Sequence, residues 1–287
     1  MKGVKYMDLK ARNKAKKTLG EIGLFLIVLF HVIPIVWLLF LSLKTSNEIL
    51  TEPLKWPEIF HWENYVNAIK TIPFLRMFKN SGLIVAIAVP STIILDIFVA
   101  FAIGRMKFGG GRLQNRVYKI FVCGVVAPTC ILMLPVYLLM VKVGLIDTTA
   151  AMILTHIGWS ASLNVMIMVS GFKSIPDSLE EAAVIDGCNI WQLLWRILVP
   201  IAKPVIATAI ILTFLTCWND FALAKFMLIS PENHTISLAA SYFKTAYSTD
   251  YGLTAAASVI LILPQLAVFL LFQRYIINGV TAGAVKG

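Results

Sequence analysis

Residues 180–200 read EEAAVIDGCNIWQLLWRILVP. They interrupt a chain that is otherwise strongly apolar, and they carry a helix, a glycine, a second helix and a proline. Ser178 and Glu181 have the spacing of a capping box, and Pro176 suits a helix entrance. The spacing predicts a short helix to about Asp186, a stop at Gly187, and a second helix capped by Asn189 and Gln192 that ends at Pro200. The first helix is acidic, with small Ala182 and Ala183 allowing close approach. The second carries Ile190, Trp191, Leu194, Trp195 and Leu198, which suit an apolar seat. Two readings stand side by side: a rigid plug pushed by another protein, or a surface hairpin that joins two membrane spans.

Around this stretch the composition is that of a polytopic membrane protein. Of 287 residues, 59% are apolar and 14% charged, and the mean hydropathy is +0.82. Six stretches meet the length of about 20 residues that crosses a bilayer as a helix: roughly 22–43, 80–103, 117–141, 150–171, 205–229 and 253–273. The expected fold is all-α with six transmembrane helices. The first span follows a basic arm, but its apolar run is longer than a cleavable signal core, so it reads as a retained anchor. Pro34, Pro90, Pro128, Pro135 and Pro264 mark kinks, since neighbouring helices can satisfy freed backbone groups.

Basic residues stay on the cytoplasmic side. The arm 1–20 holds seven Lys and Arg, the stretch 104–119 five, 172–203 three and the tail from 274 two; the connections 44–79, 141–149 and 225–252 hold five, one and two. Both termini, and the loop 172–203 that contains the opening stretch, are therefore expected in the cytoplasm. The net charge of +10 follows from this asymmetry and calls for no nucleic-acid partner. Cys123, Cys130, Cys188 and Cys217 lack metal-type spacing, and His31, His61, His156 and His234 are dispersed, so no metal site is expected. No G-x-x-x-x-G-K-[ST] occurs, so the chain itself is not expected to hydrolyse ATP.

Polar residues inside spans are the default functional candidates. Trp218, Asn219 and Asp220 form the sharpest group: a sugar's apolar face can stack on an indole while its hydroxyls bond amide and carboxylate oxygens. The competing reading is that Asn219 and Asp220 tie helices together. Asp96 is likewise lumenal or structural, and Trp159, Ser160 and Asn164 are weaker candidates. The segment ENHTISLAASYFKTAYSTDYG at 232–252 is longer than a minimal connection and rich in Tyr, Ser and Thr; it is a solvated loop or a docking surface.

The pattern E-A-A, three residues, G, nine residues, I-x-L-P, matched here at Glu181, Ala182, Ala183, Gly187, Ile197 and Pro200 with Asp186 before the glycine, resembles the cytoplasmic signature of binding-protein-dependent ABC importer permeases. Cys188 and Val199 depart from the usual alanine and leucine. The segments KNSGLIVAIAV (79–89), AFAIGRMKF (100–108), LPVYLLMVKVGLIDT (134–148), CWNDF (217–221) and QRYIINGVTAGAVKG (273–287) are similar to the carbohydrate branch, and the tail resembles the smaller six-span permease of the maltose type.

The resemblance implies a type I ABC importer permease fold in the bacterial inner membrane. Its expected parts are a basic cytoplasmic arm 1–21, the first transmembrane helix and outer loop 22–76, a core permease domain 77–275, and a cytoplasmic tail 276–287. It implies four kinds of partner: a homologous second permease, two ATP-binding subunits, an extracytoplasmic solute-binding protein and a sugar substrate. No cofactor would be bound by this chain, because ATP and Mg would sit on the ATPase subunits. Glu181, Ala182, Ala183, Asp186, Gly187, Ile197 and Pro200 would form the ATPase-coupling element. Tyr247, Thr249, Asp250 and Tyr251 would face the binding protein.

Two rivals differ in class. An intramembrane enzyme would need clustered carboxylates or histidines, and a lone ion-coupled carrier would show paired charges in its spans. Transport by the isolated chain would favour the carrier.

Overall fold

The computed structural model describes residues 2–245 and 247–284. Its helices are α1 (Lys2–Leu41), α2 (Ser46–Thr51), α3 (Glu63–Thr71), α4 (Phe74–Arg105), α5 (Arg112–Val126), α6 (Thr129–Lys142), α7 (Thr149–Lys173), α8 (Asp177–Ile185), α9 (Ile190–Gln192), α10 (Val199–Ile201), α11 (Lys203–Asn219), α12 (Ala222–Met227) and α13 (Tyr251–Ala284). Among the described residues the only β pairing is the isolated bridge Lys244 to Thr249, so the fold is all-α as expected.

Four of the expected spans are continuous helices long and apolar enough to cross a membrane: Gly20–Leu41 within α1, α4, α7 and Tyr251–Leu271 within α13. The other two differ from the expectation. The stretch 117–141 is not one rod but α5 and α6, bent by 106°. Pro128 disfavours helical backbone in the residue before it, and Ala127 is extended at φ −66°, ψ 121°. The stretch 205–229 stops being helical at Asn219. Asp220 is extended, and its Oδ1 accepts the Leu223 N–H at 2.9 Å, which starts α12.

The chain divides into two units. One comprises the chain through Thr71 together with Phe243–Val259. Within it, Asn64 Nδ2 donates to the Ser42 and Lys44 carbonyls at 2.9 Å each, and α2 begins in a complete capping box between Thr45 and Glu48. Ser46 Oγ donates to Asp250 Oδ1 at 2.8 Å and accepts the Tyr251 N–H at 2.9 Å. Gly252 passes so close to this layer that a Cβ there would lie 2.6 Å from the Lys44 carbonyl oxygen. None of the most apolar window of α1 is buried within the chain. Of the arm 1–21, the described residues from Lys2 on are helical and continuous with the rest of α1.

The second unit comprises Ile72–Tyr242 and the chain from Ile260. Its centre is α4, with 44% of its most apolar window buried, packed along α7 and α11. Small residues allow the close approach: a Cβ at Gly104 would touch the Phe172 Cβ at 3.5 Å. Of the expected tail, residues 285–287 lie outside the described residues.

Candidate coupling hairpin and polar membrane cavities

The opening stretch folds as a hairpin of two helices. α8 starts from Pro176, at φ −61°, with no side-chain cap. Ser178 is thus the second residue of the helix rather than its cap, because the fixed φ of proline opens the helix earlier than the capping-box spacing implies. Asp177 and Glu180 supply first-turn negative charge. Asp186 closes the helix, and Gly187 takes φ +79° with its N–H on the Val184 carbonyl at 3.0 Å. The second capping box is present as expected: Asn189 Oδ1 accepts the Gln192 N–H, and Gln192 Oε1 accepts the Asn189 N–H, both at 2.9 Å. The second helix does not end at Pro200. Residues Leu193–Leu198 widen into a π turn, and Pro200, which offers no N–H to the Arg196 carbonyl, lies inside α10.

Glu181, Ala182, Asp186, Gly187 and Pro200 are exposed, Ile197 is half-buried and Ala183 is buried. The buried side of the hairpin is held by α4. Arg105, the last residue of that helix, donates from Nη1 to Asp177 Oδ1 and from Nη2 to the Ile175 carbonyl. Its Nε lies 2.9 Å from Glu180 Oε1, misaligned for a hydrogen bond, so this contact is an ion pair. Burial holds the Glu180 carboxyl above its ordinary value although Arg105 pulls it down. Phe98 meets the rings of Trp191 and Trp195 edge-on at 6.0 and 5.9 Å. In the sequence Arg105 is one of the five basic residues of the stretch 104–119, and what marks it there is its position as the first cation after a long apolar run.

Deeper in the unit, the polar candidates separate into two groups. Asn164 is buried, and its amide donates to Asp96 Oδ2 at 3.0 Å and to Thr213 Oγ1 at 2.8 Å, joining α7 to α4 and α11. Trp218 is 4% exposed, stacked on Phe214 at 5.8 Å, edge-on to Phe78 at 5.5 Å, and donates its indole N–H to the Leu261 carbonyl. Its faces are covered by protein, so the expected sugar-stacking surface is not available on this indole. Asn219 exchanges two hydrogen bonds with Gln265, at 2.6 and 3.2 Å.

A cavity of about 580 Å³ is lined by Trp159, Ser160, Asn164 and Thr213 among others. A second, of about 240 Å³, is lined by His156, Asn219 and Asp220. Trp159, Thr129 and Thr216 line both. Asp220 Oδ2 lies 3.5 Å from His156 Nε2, a buried nitrogen without a hydrogen-bond partner. His156, Thr213 and Gln265 were not singled out from sequence, although each is a polar residue within an apolar stretch.

Of the expected outer contacts, Tyr247 is fully exposed and Asp250 is engaged: its Oδ1 receives Ser46 Oγ and the Leu253 N–H at the start of α13. In the other unit, the loop before α7 contains Asp147, whose φ is +61°. Its Oδ1 accepts the Ile229 and Ser230 N–H groups at 2.8 and 3.0 Å, and its carbonyl accepts Asn233 Nδ2. Burial raises the Asp147 carboxyl, but these donors outweigh it and hold it below the ordinary carboxylate value.

Comparison with known proteins agrees with this architecture. Residues 9–281 match the model of the binding-protein-dependent transport system inner membrane component family. The diacetylchitobiose uptake system permease protein NgcG of Streptomyces coelicolor is 29% identical, over 96% of this chain and 92% of its own. The trehalose/maltose transport system permease protein MalG of Thermococcus litoralis is 30% identical, over 95% of this chain and 98% of its own. A chain from the crystal structure of a bacterial ABC transporter involved in the import of the acidic polysaccharide alginate superposes with TM-score 0.73 at 22% identity, covering 91% of this chain and 98% of that one. The chain belongs to the family of binding-protein-dependent transport system inner membrane components: it is a multi-pass permease subunit of an ABC importer and not an enzyme.

Proposed function

We propose that this subunit imports a sugar or oligosaccharide, lines half of the pathway opposite a homologous second permease, and is driven by two ATP-binding subunits. The single observation that carries the coupling part is the hairpin. Its outer side presents Glu181, Ala182, Asp186 and Gly187 to a partner, while its inner side is fastened to the helix bundle through Arg105 and Phe98. ATP and Mg belong to the ATPase partners. Closure of those partners on nucleotide would move the hairpin, and the spans would exchange between two packings. A cytoplasmic position for the hairpin and both termini is supported by the Lys and Arg bias.

The sugar class is supported by relatives whose names specify diacetylchitobiose and trehalose or maltose, and by the chemistry of the two cavities. In them the Trp159 ring stands beside hydroxyl, amide and carboxylate side chains, a combination that suits a hydroxylated ring. In this reading Trp159, Asn219 and Asp220 face the path, and Asn164 and Trp218 hold the bundle that forms it. Tyr247, Thr249 and Tyr251 offer the contact with the solute-binding protein, with Asp250 fixing the loop.

The test is reconstitution of the complete complex in vesicles with maltose, trehalose and diacetylchitobiose as probes. ATP hydrolysis stimulated by the binding protein, together with uptake of one of these sugars, is expected. Uptake by the isolated chain without ATPase subunits would overturn the reading.

A further inference from the structure

The two ends of α4 are fastened to different parts of the unit, and both fastenings are specific. At its C-terminal end the Arg105 side chain is only 6% exposed and is committed to Asp177, Glu180 and the Ile175 carbonyl, all on α8 or at its entrance. A guanidinium can serve three acceptors in one plane, which a lysine cannot. About two turns earlier, Phe98 meets Trp191 and Trp195 edge-on, so both halves of the hairpin bear on the same helix. Near its N-terminal end Asn80 Nδ2 donates to the carbonyls of Glu232 at 2.8 Å and His234 at 3.0 Å, and Ser81 Oγ accepts the Ile236 N–H at 2.9 Å. Between Ser81 and Arg105 the helix covers about 36 Å at 1.5 Å per residue.

We infer that Arg105 is a positioning residue that hitches the coupling helix to α4, and that α4 is the strut linking the ATPase side to the loop 232–236 on the binding-protein side. The inference rests on α8 being the ATPase contact. The clamp is suited to this because Arg105 and Glu180 are largely withdrawn from water, at 6% and 21% exposed, while Asp177 closes it from the solvent side. Separating Arg105 from Glu180 would leave an uncompensated buried charge, so α8 and α4 move together rather than slide apart. The loop held by Asn80 and Ser81 leads into the segment proposed to meet the binding protein. One rod thus joins the arriving signal outside to hydrolysis inside.

The experiment uses the assembled complex in lipid vesicles, with its second permease, ATP-binding subunits and binding protein. Arg105→Gln is expected to keep basal ATP hydrolysis and to lose about fivefold or more of the stimulation by the binding protein, the range of an ordinary coupling free energy. Asn80→Ala, at the other end of the rod, is expected to do the same. If Arg105→Gln does not assemble, Asn80→Ala and Asp177→Ala carry the test, since neither removes a buried charge.

A rescue separates linkage from mere structure. In a background with Cys123, Cys130, Cys188 and Cys217 replaced by Ser, Arg105→Cys with Asp177→Cys should regain stimulation when bridged by a short bifunctional methanethiosulfonate, and lose it again on reduction. Wild-type stimulation in Arg105→Gln, or no recovery on bridging, would overturn the inference. If instead the hairpin is no coupling element at all, Gly187→Pro will also leave stimulation intact.

Discussion

His156 Nε2 lies 3.5 Å from Asp220 Oδ2, the imidazole coming from the first third of α7 and the carboxylate from the break after α11. The other carboxylate oxygen accepts the Leu223 N–H in the first turn of α12, so the two halves of one side chain are separable by mutation.

Asp220→Asn keeps an oxygen for the Leu223 N–H and replaces the charged oxygen facing His156. Normal assembly is expected, with sugar uptake reduced about tenfold, in the range of one hydrogen bond to a charged group. Complex yield and uptake measured on the same vesicles decide it: loss of assembly would make Asp220 a structural tie, and normal values for both would reject either role.

Asn164→Ala removes the amide that joins Asp96 and Thr213 and leaves the Asp96 carboxylate buried without its donor. A loss of about 2 kcal/mol in stability is expected, near the upper range of side-chain hydrogen bonds within membranes. Thermal unfolding of the purified complex in detergent checks it. An unchanged midpoint with reduced uptake would return Asn164 to the substrate path.

Gly187→Pro should abolish binding-protein-stimulated hydrolysis, because proline fixes φ near −65° where the turn needs +79° and removes the N–H that bonds Val184. Gly187→Ala meets no neighbouring atom and bears only the backbone strain, about 1 kcal/mol. Asn189→Ala loses the second capping box at a similar cost of about 1 kcal/mol. Both milder variants should therefore retain partial coupling, measured as stimulated over basal hydrolysis.

The Asp147 carboxyl is held below its ordinary value in the folded chain, so its contribution is complete above the unfolded value of about 3.9 and is lost as pH falls through the lower folded value. Hydrogen exchange at the Ile229 and Ser230 amides should accelerate only in strong acid. Asp147→Asn keeps an acceptor without a proton to gain, and the loss of protection in acid, taken relative to the intrinsic acid-catalysed exchange rate, should vanish. Identical acid profiles for the two proteins would show that another group controls the loop.

Local chemistry made much of the hairpin legible. Asn189 with Gln192 forms the box its spacing predicts, and Gly187 adopts the positive φ expected of a helix stop, because both effects act within three or four residues. Where the structure departs from the local spacing, a local competition is the cause. Pro176 displaced Ser178 from the cap, Pro128 forced Ala127 out of the helix, and Asp220 preferred to begin α12 rather than extend α11.

The sequence by itself determined that the chain lives in a bilayer, because apolar length and basic asymmetry are sums along the chain that need no partner. Only the tertiary structure decided which polar residues meet. Asn164 finds Asp96 across 68 residues, and Arg105 finds Asp177 across 72. It also decided that Trp218 is covered while Trp159 borders two cavities. An apolar stretch fixes that a helix forms but leaves its rotation about its own axis open. That rotation, set by the packing of α4, α7 and α11, turns each side chain toward a neighbour or toward open space.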